Sequence, residues 1–263
     1  MLDELVRSGA VAVAMGCDIG LNYPLWVAAK RLGVGLPAFP GTLRGIYVGA
    51  ASLWVSLAPT VMIEDAVSRV LQESLMPIDS GASAIPKELV CSAASGAVAA
   101  CVVASPVEHI ITRSHAMKRG IGETVKLLYH RHGAIYLAAP PGMAAMAGRE
   151  VPFAASLFWL QPTLSKMAQA LDGNDQSHSI GKYLLVGIAT SIIATPISHV
   201  PSVIAAYQQG HGKDLRTAVG DLYRIGGVRE FWRGLGARTV SLAGTMTVVP
   251  LVLRALAPQH ANH

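Results

Sequence analysis

The chain has 263 residues, of which 52% are hydrophobic and only 14% charged, with a formal net charge of +5 and a mean hydropathy of +0.43. An average soluble domain is about 25% charged, so this chain is short of the surface that a water-soluble protein presents. Its aromatic content is only 6%, and Ala, Gly, Val and Leu dominate, a composition that suits helices packed closely through small side chains in lipid better than a soluble enzyme.

The first ten residues, MLDELVRSGA, are short and acidic. They resemble neither a secretory signal nor an Arg-rich transit peptide, so that if the protein enters an organelle its address is expected to be internal. A helix crosses the hydrocarbon core with about 20 mostly apolar residues. Six stretches fit that length, at roughly 9–29, 45–63, 88–111, 134–160, 181–206 and 234–257. The first, fourth and sixth contain charges, and several contain Pro. Gly16 and Gly20, Gly45 and Gly49, and Ser92 and Gly96 are each four residues apart, the spacing through which helices approach closely in lipid. Cys17, Cys91 and Cys101 all lie in apolar runs without a CxxC, and are expected as small core residues rather than disulfides or metal ligands.

The connecting loops alternate in charge. Those after the first, third and fifth stretches are basic, with Lys30, Arg31 and Arg44, then Arg113, Lys118, Arg119, Lys126 and Arg131, then Lys213, Arg216, Arg224, Arg229 and Arg233 outweighing the acids among them. On the other side, Glu64, Asp65, Glu73, Asp79 and Glu88 outweigh Arg69 and Lys87, while Lys166 and Lys182 balance Asp172 and Asp175. Basic loops are retained on the cytoplasmic side of a membrane, or on the matrix side in a mitochondrion. Nucleic-acid binding fits poorly with so apolar a chain.

A threefold periodicity underlies the six stretches. Pro24, Pro106 and Pro196 close the odd-numbered ones at spacings of 82 and 90, and Gly49, Gly142 and Gly234 open the even-numbered ones at spacings of 93 and 92. The repeats are therefore 1–80, 81–175 and 176–263 within a single domain, 1–263. Repeats two and three carry a short amphipathic segment between these markers. GIGETVKLLYHRHG presents Ile121, Val125 and Leu128 and stops at Gly133. DLRTAVGDLYRIGG presents Leu215, Ala218, Val219 and Leu222 and stops at Gly226 and Gly227. Each reads as a surface helix at the bilayer edge. Repeat one, with 25 residues between its markers against 36 and 38, has no room for a full one.

With EFWRGLGAR at 230–238, GREVPF at 148–153 followed by AASLF, and the repeating Pro and Gly positions, the chain resembles the mitochondrial carrier family over essentially its whole length. The resemblance implies an all-α membrane protein with six transmembrane helices in three pseudo-symmetric two-helix repeats. It implies a multi-pass protein of the mitochondrial inner membrane, with helices kinked at Pro24, Pro106 and Pro196 and with surface helices and basic loops in the matrix.

The family's odd helices carry Pro-x-acid-x-x-base, six charges that pair as a gate. Here repeat one reads Pro24, Trp26, Ala29, repeat two Pro106, Glu108, Ile111, and repeat three Pro196, Ser198, Pro201. Glu108 is the single remnant. The second gate expects an aromatic-acid-x-x-base pattern on the even helices. WLQPTLSK and TVVPLVLRAL contain no acid, and Glu64, Asp65 and Arg69 fall out of that pattern. A carrier alternates between two states of similar energy, and without these pairs it needs another latch.

Arg149 and Glu150 stand seven and eight residues after Gly142, which the resemblance makes a substrate-contact position, with Ser56 and Ser241 as the corresponding residues of repeats one and three. Charges within a membrane span are costly and mark a site by default. The pair reads either as a solute-binding couple or as a locally paired couple facing a wet cavity or a neighbouring protein. Asp18 invites a lumenal role or a partner such as Arg238. His115, His130 and His132 lack ligand spacing, so no metal site is expected, and His130 and His132 read as the basic end of a helix. No Walker A, GxSxG, HExxH or dinucleotide fingerprint appears, so no catalytic residue is assigned and no enzyme is expected. The resulting expectation is a repurposed carrier, a structural or accessory subunit of a larger inner-membrane assembly such as a respiratory-chain complex. The alternative is a working carrier exchanging an amino-acid-like or S-adenosylmethionine-like metabolite. Partners are membrane lipids, with cardiolipin as a bound lipid and no cofactor, and other inner-membrane subunits, but not nucleic acid.

Overall fold

The structure, a computed structural model, describes residues 2–33, 38–39, 42, 46–47, 50–74, 86–117, 119–171 and 180–256, with only the backbone of 2–5, 29–33, 115 and 171. The Gly45–Gly49 pair, Arg44, Asp79, Lys118, Asp172 and Asp175, and the side chains of Lys30, Arg31 and His115 lie outside the described residues. All regular secondary structure among the described residues is helical.

Helix α1 spans Leu2–Gly33 and α2 spans Ala50–Ser74. Helix α3 (Lys87–Ala99) passes through a π turn at Ala100–Ala104 into α4 (Ser105–Met117). Two short amphipathic helices follow the sequence reading closely in extent: α5 is Ile121–His132 and α10 is Leu215–Gly226. The short α6 (Ala134–Ala138) precedes α7 (Met143–Ala155), which continues through a second π turn, Ser156–Leu160, into α8 (Gln161–Leu171). Helix α9 is Ile180–His211, α11 is Val228–Phe231 and α12 is Leu235–Leu256.

Both π turns lie just before a proline, Pro106 and Pro162. Proline removes an N–H from the helical ladder and crowds the carbonyl of the preceding turn. A single wider turn shifts the bonding register and relieves that crowding, and the amide of Ser105 donates to Ala100, five residues back. Pro24 lies inside α1, and Pro196 and Pro201 lie inside α9.

Among the described residues, five helical runs are long and apolar enough to cross a membrane: Val6–Ala28, Ala50–Ser74, Lys87–Ser114, Ile180–His211 and Val228–Leu256. The fourth expected stretch, 134–160, is not among them. Its helix begins only at Met143, after Gly142 turns the chain with φ 93°, and its first turns carry Arg149 and Glu150. The side-chain distribution along the five runs is the reverse of a soluble fold. Leu21, Val102, Leu185 and Ile197 are more than 60% exposed, while Ser92, Ser95, Thr190 and Ser191 are fully buried. Apolar surface left outside and hydroxyls turned inside is the pattern that lipid favours. The chain therefore has the make-up of a multi-pass helical membrane protein.

Cys91 is buried as expected, but Cys17 and Cys101 are exposed, because the apolar faces on which they sit point outward. The faces of the surface helices also differ from the sequence reading. Thr124 and Leu128 are buried on α5, and Ala218 and Leu222 on α10, whereas Ile121 and Leu215 are about half exposed. Asp214 caps α10 by accepting a bond from the Thr217 amide at 3.2 Å, and its bonds to Thr217 hold its carboxyl below its ordinary value.

The chain divides into two compact units. One comprises Met1–Met62, Ser156–Thr195 and Gly234–His263. In it α1 packs along α12. Gly244 leaves space for the Asn22 side chain, because a Cβ there would lie 2.7 Å from it. Ile19, Tyr23 and Leu53 form its apolar cluster, and the Trp54 indole donates to the Ala12 carbonyl at 3.2 Å.

The other unit comprises Ile63–Ala155 and Pro196–Arg233. Its core is the contact of α3 with α7, and Ala100, Ala104, Ala145, Met146 and Ala205 cluster beside it. Of the small-residue pairs within the described residues, Ser92 and Gly96 include the closer approach: a Cβ on Gly96 would sit 2.6 Å from the Glu150 carbonyl oxygen, whereas Gly20 has nothing within 4 Å. Gly96→Ala is expected to force α3 from α7 and to cost about 1–3 kcal/mol. Gly220→Ala, on an open face of α10, is expected to be neutral or slightly stabilising. Unfolding both variants in detergent micelles checks the contrast.

Candidate functional site

The second unit holds a buried ionic cluster, and the helix starts explain its position. Gly142 with φ 93° sets the beginning of α7, and the absence of a side chain at Gly148 lets Pro201 of α9 lie against it, where a Cβ would be 3.2 Å away. Seven and eight residues after Gly142, Arg149 and Glu150 point into the unit, 8% and 3% exposed. Glu108 stands two residues after Pro106 in the first turn of α4.

Arg149 binds Glu108 bidentately: Nη1 donates to Oε2 at 2.9 Å and Nη2 to Oε1 at 2.6 Å. Its Nε donates to Oε1 of Glu150 at 2.7 Å, and Nη2 also contacts that oxygen. The planar fork of a guanidinium matches carboxylate geometry, and such charge-assisted pairs are roughly twice as strong as neutral hydrogen bonds. Glu108, which the sequence leaves without its base because Ile111 stands in that place, thus has a different partner on another helix.

A third carboxylate adjoins them. Glu64 is fully buried on α2, neither of its oxygens has a hydrogen-bond partner, and it lies close enough to Glu150 and Arg149 to interact electrostatically with both. The sequence reading ended the second stretch at residue 63 and placed Glu64 and Asp65 in an outer loop. The helix instead runs to Ser74, with Glu64 and Asp65 buried, and Asp65 pairs with Arg69 at 3.1 Å. Hydropathy falls at residue 64, but nothing in EDAVSRVLQES breaks a helix, and that absence was the available signal. Ser105 Oγ, one turn before Glu108, is likewise buried without a partner. His109, fully buried and edge-on to the Tyr136 ring at 5.3 Å, is a further buried polar residue that sequence reasoning passed over.

Ser56, Ser241 and Asp18 belong to the other unit. Ser56 is buried, and its carbonyl accepts from Thr60 at 2.8 Å. Ser241 is buried, and its carbonyl accepts from Asn22 at 2.5 Å. Asn22 also donates to Thr245 Oγ1 at 3.1 Å, and Thr245 donates to Asp18 at 2.9 Å. Asp18 is thus held by neutral donors, Thr245 and Asn22, in place of the Arg238 that the sequence suggested. On α5, His132 stacks on Tyr136 at 4.3 Å and His130 packs edge-on to Tyr129. Among the described residues no three carboxylate, imidazole or thiol groups converge closely enough to hold a metal ion.

No known protein-family profile matches the chain, and no curated protein sequence is detectably similar to it. The geometry therefore carries the functional argument alone. Replacing Arg149 with Met strands Glu108, Glu150 and Glu64 in the interior, and is expected to cost about 3–5 kcal/mol. Adding Glu108→Gln and Glu150→Gln to the same chain is expected to recover most of that loss in micelle unfolding measurements. A triple variant no more stable than Arg149→Met would show that the stranded carboxylates are not the cause.

Proposed function

We propose that this chain is a carrier-type integral membrane protein that binds a small solute at the Arg149 cluster. The observation that carries the reading is the buried group of Arg149, Glu108, Glu150 and Glu64, of which Glu64 and Glu108 lie on helices long and apolar enough to cross a membrane. Ionisable residues at that depth persist where they line a substrate path or a wet cavity. The placement of Arg149 and Glu150 after Gly142, and the two surface helices with their glycine stops, support the carrier-type repeat. On this reading the protein resides in the mitochondrial inner membrane, its basic loops and surface helices face the matrix, and cardiolipin is a natural lipid partner for those loops.

A second reading has a specific observation of its own. Arg149 is saturated by carboxylates of its own chain, and five of the six charges of the carrier gate are missing. A carrier without that latch is suited to a structural or accessory role in a larger inner-membrane assembly.

Reconstitution into liposomes separates the two. Counter-exchange of amines, amino acids, keto acids and nucleotides is expected to show uptake of one class, reduced more than tenfold by Arg149→Met. Absence of uptake for every class, with the protein migrating solely within a large complex after gentle solubilisation, would overturn the solute-binding reading in favour of the accessory one.

A further inference from the structure

We propose that the acidic side of the Arg149 cluster receives an organic ammonium group, with Glu64 as the carboxylate that binds it. The inference rests on the solute-binding reading and narrows the solute to a cation bearing N–H donors.

Three features lead to it. The first is saturation. A guanidinium has five N–H donors in a fixed fork, and four bonds from Arg149 already go to Glu108 and Glu150. A solute carboxylate would find one free donor and three carboxylates facing it, so the site as built rejects anions. The second is charge. Glu108 and Glu150 bond the Arg149 guanidinium and Glu64 interacts with it electrostatically, so three carboxylates face one cation, a formal surplus of two negative charges, and the other base on α2, Arg69, is engaged with Asp65.

The third is the orphaned carboxylate itself. Glu64 is fully buried, and both of its oxygens lack a donor, whereas Glu108 and Glu150 have Arg149. A buried carboxylate without partners is among the costliest arrangements in a protein interior. It is resolved either by a proton or by donors brought from outside. An ammonium supplies up to three N–H donors and the missing positive charge together, and the buried Oγ of Ser105, one turn from Glu108, is a further acceptor without a partner. The acids are spread too widely to close around a metal ion among the described residues. The complementary ligand is therefore a primary or secondary amine. A quaternary ammonium satisfies the charge but offers no N–H.

The test is equilibrium binding of radiolabelled putrescine to the purified full chain in lipid nanodiscs, with competition by butylamine, tetramethylammonium and succinate. Saturable binding is expected, displaced by butylamine, much less by tetramethylammonium, and not by succinate. Glu64→Gln is expected to weaken it tenfold or more, as loss of a charged hydrogen-bond partner does. The same variant is expected to melt no lower than wild type, because a buried amide is less costly than a buried carboxylate. Glu73→Gln, exposed on the same helix, is expected to bind as wild type does.

Absence of saturable amine binding, or equal binding by Glu64→Gln, would overturn the proposal and leave Glu64 as a protonated structural residue. Arg149-dependent binding of succinate without amine binding would overturn it while leaving the solute site intact. Binding of neither would overturn this proposal together with the solute-binding reading on which it rests.

Discussion

The arrangement of the second unit depends on one interaction, the bidentate pairing of Arg149 on α7 with Glu108 on α4. A guanidinium this deeply buried cannot be released to water without opening the helices, and it cannot be left unpaired in an apolar interior. Its bond to Glu108 therefore ties the segment after Pro106 to the segment after Gly142. The pair sets two helix positions at once, and the same geometry brings Glu150 and Glu64 into a single electrostatic group. The apolar packing around it, alanines and Met146 for the most part, is non-directional and could slide. The ionic fork is directional, and it supplies a register that small side chains cannot.

Close approach of backbones makes that fork possible. Gly96 lets α3 reach the carbonyl of Glu150, and Gly148 lets Pro201 reach α7. Without a hydrophobic driving force between helices in lipid, such contacts and buried hydrogen bonds hold the bundle together. The π turns before Pro106 and Pro162 belong to the same design. A proline within two residues of a wide turn changes the direction in which the following side chains point, and α4, with Glu108 in its first turn, begins where the first of those turns ends. In the other unit the same physics appears in neutral form, with Asn22 and Asp18 of α1 bonded to Ser241 and Thr245 of α12 across the space opened by Gly244.

Much of this was legible in the sequence, because the signals involved are local. Helix α5 ends at the predicted Gly133 and α10 at the predicted glycine pair, since a positive φ at Gly133 and Gly227 is a property of a single residue. Arg149 and Glu150 stood out because charge in an apolar stretch is rare. What the sequence hid depends on long-range partners or on the extent of a helix. The bond from Glu108 to Arg149 joins residues 41 apart. The shorter of the two bonds to Asp18 comes from Thr245, 227 residues away. Glu64 falls outside the second apolar stretch because hydropathy drops there, whereas α2 continues well past it to Ser74. The fourth stretch differs for the converse reason: its apolar start, 134–142, is a short helix and a turn, and the longer helix begins at Met143, ahead of Arg149 and Glu150.

A double-mutant cycle between Glu108→Gln and Arg149→Met, with stability measured in lipid bicelles, tests this account most directly. The two residues are in contact and share a buried network, so the predicted coupling is about 2–3 kcal/mol. Additivity of the two substitutions to within about 0.5 kcal/mol would contradict the account, because it would mean that the helices carrying these residues are positioned by something other than the fork.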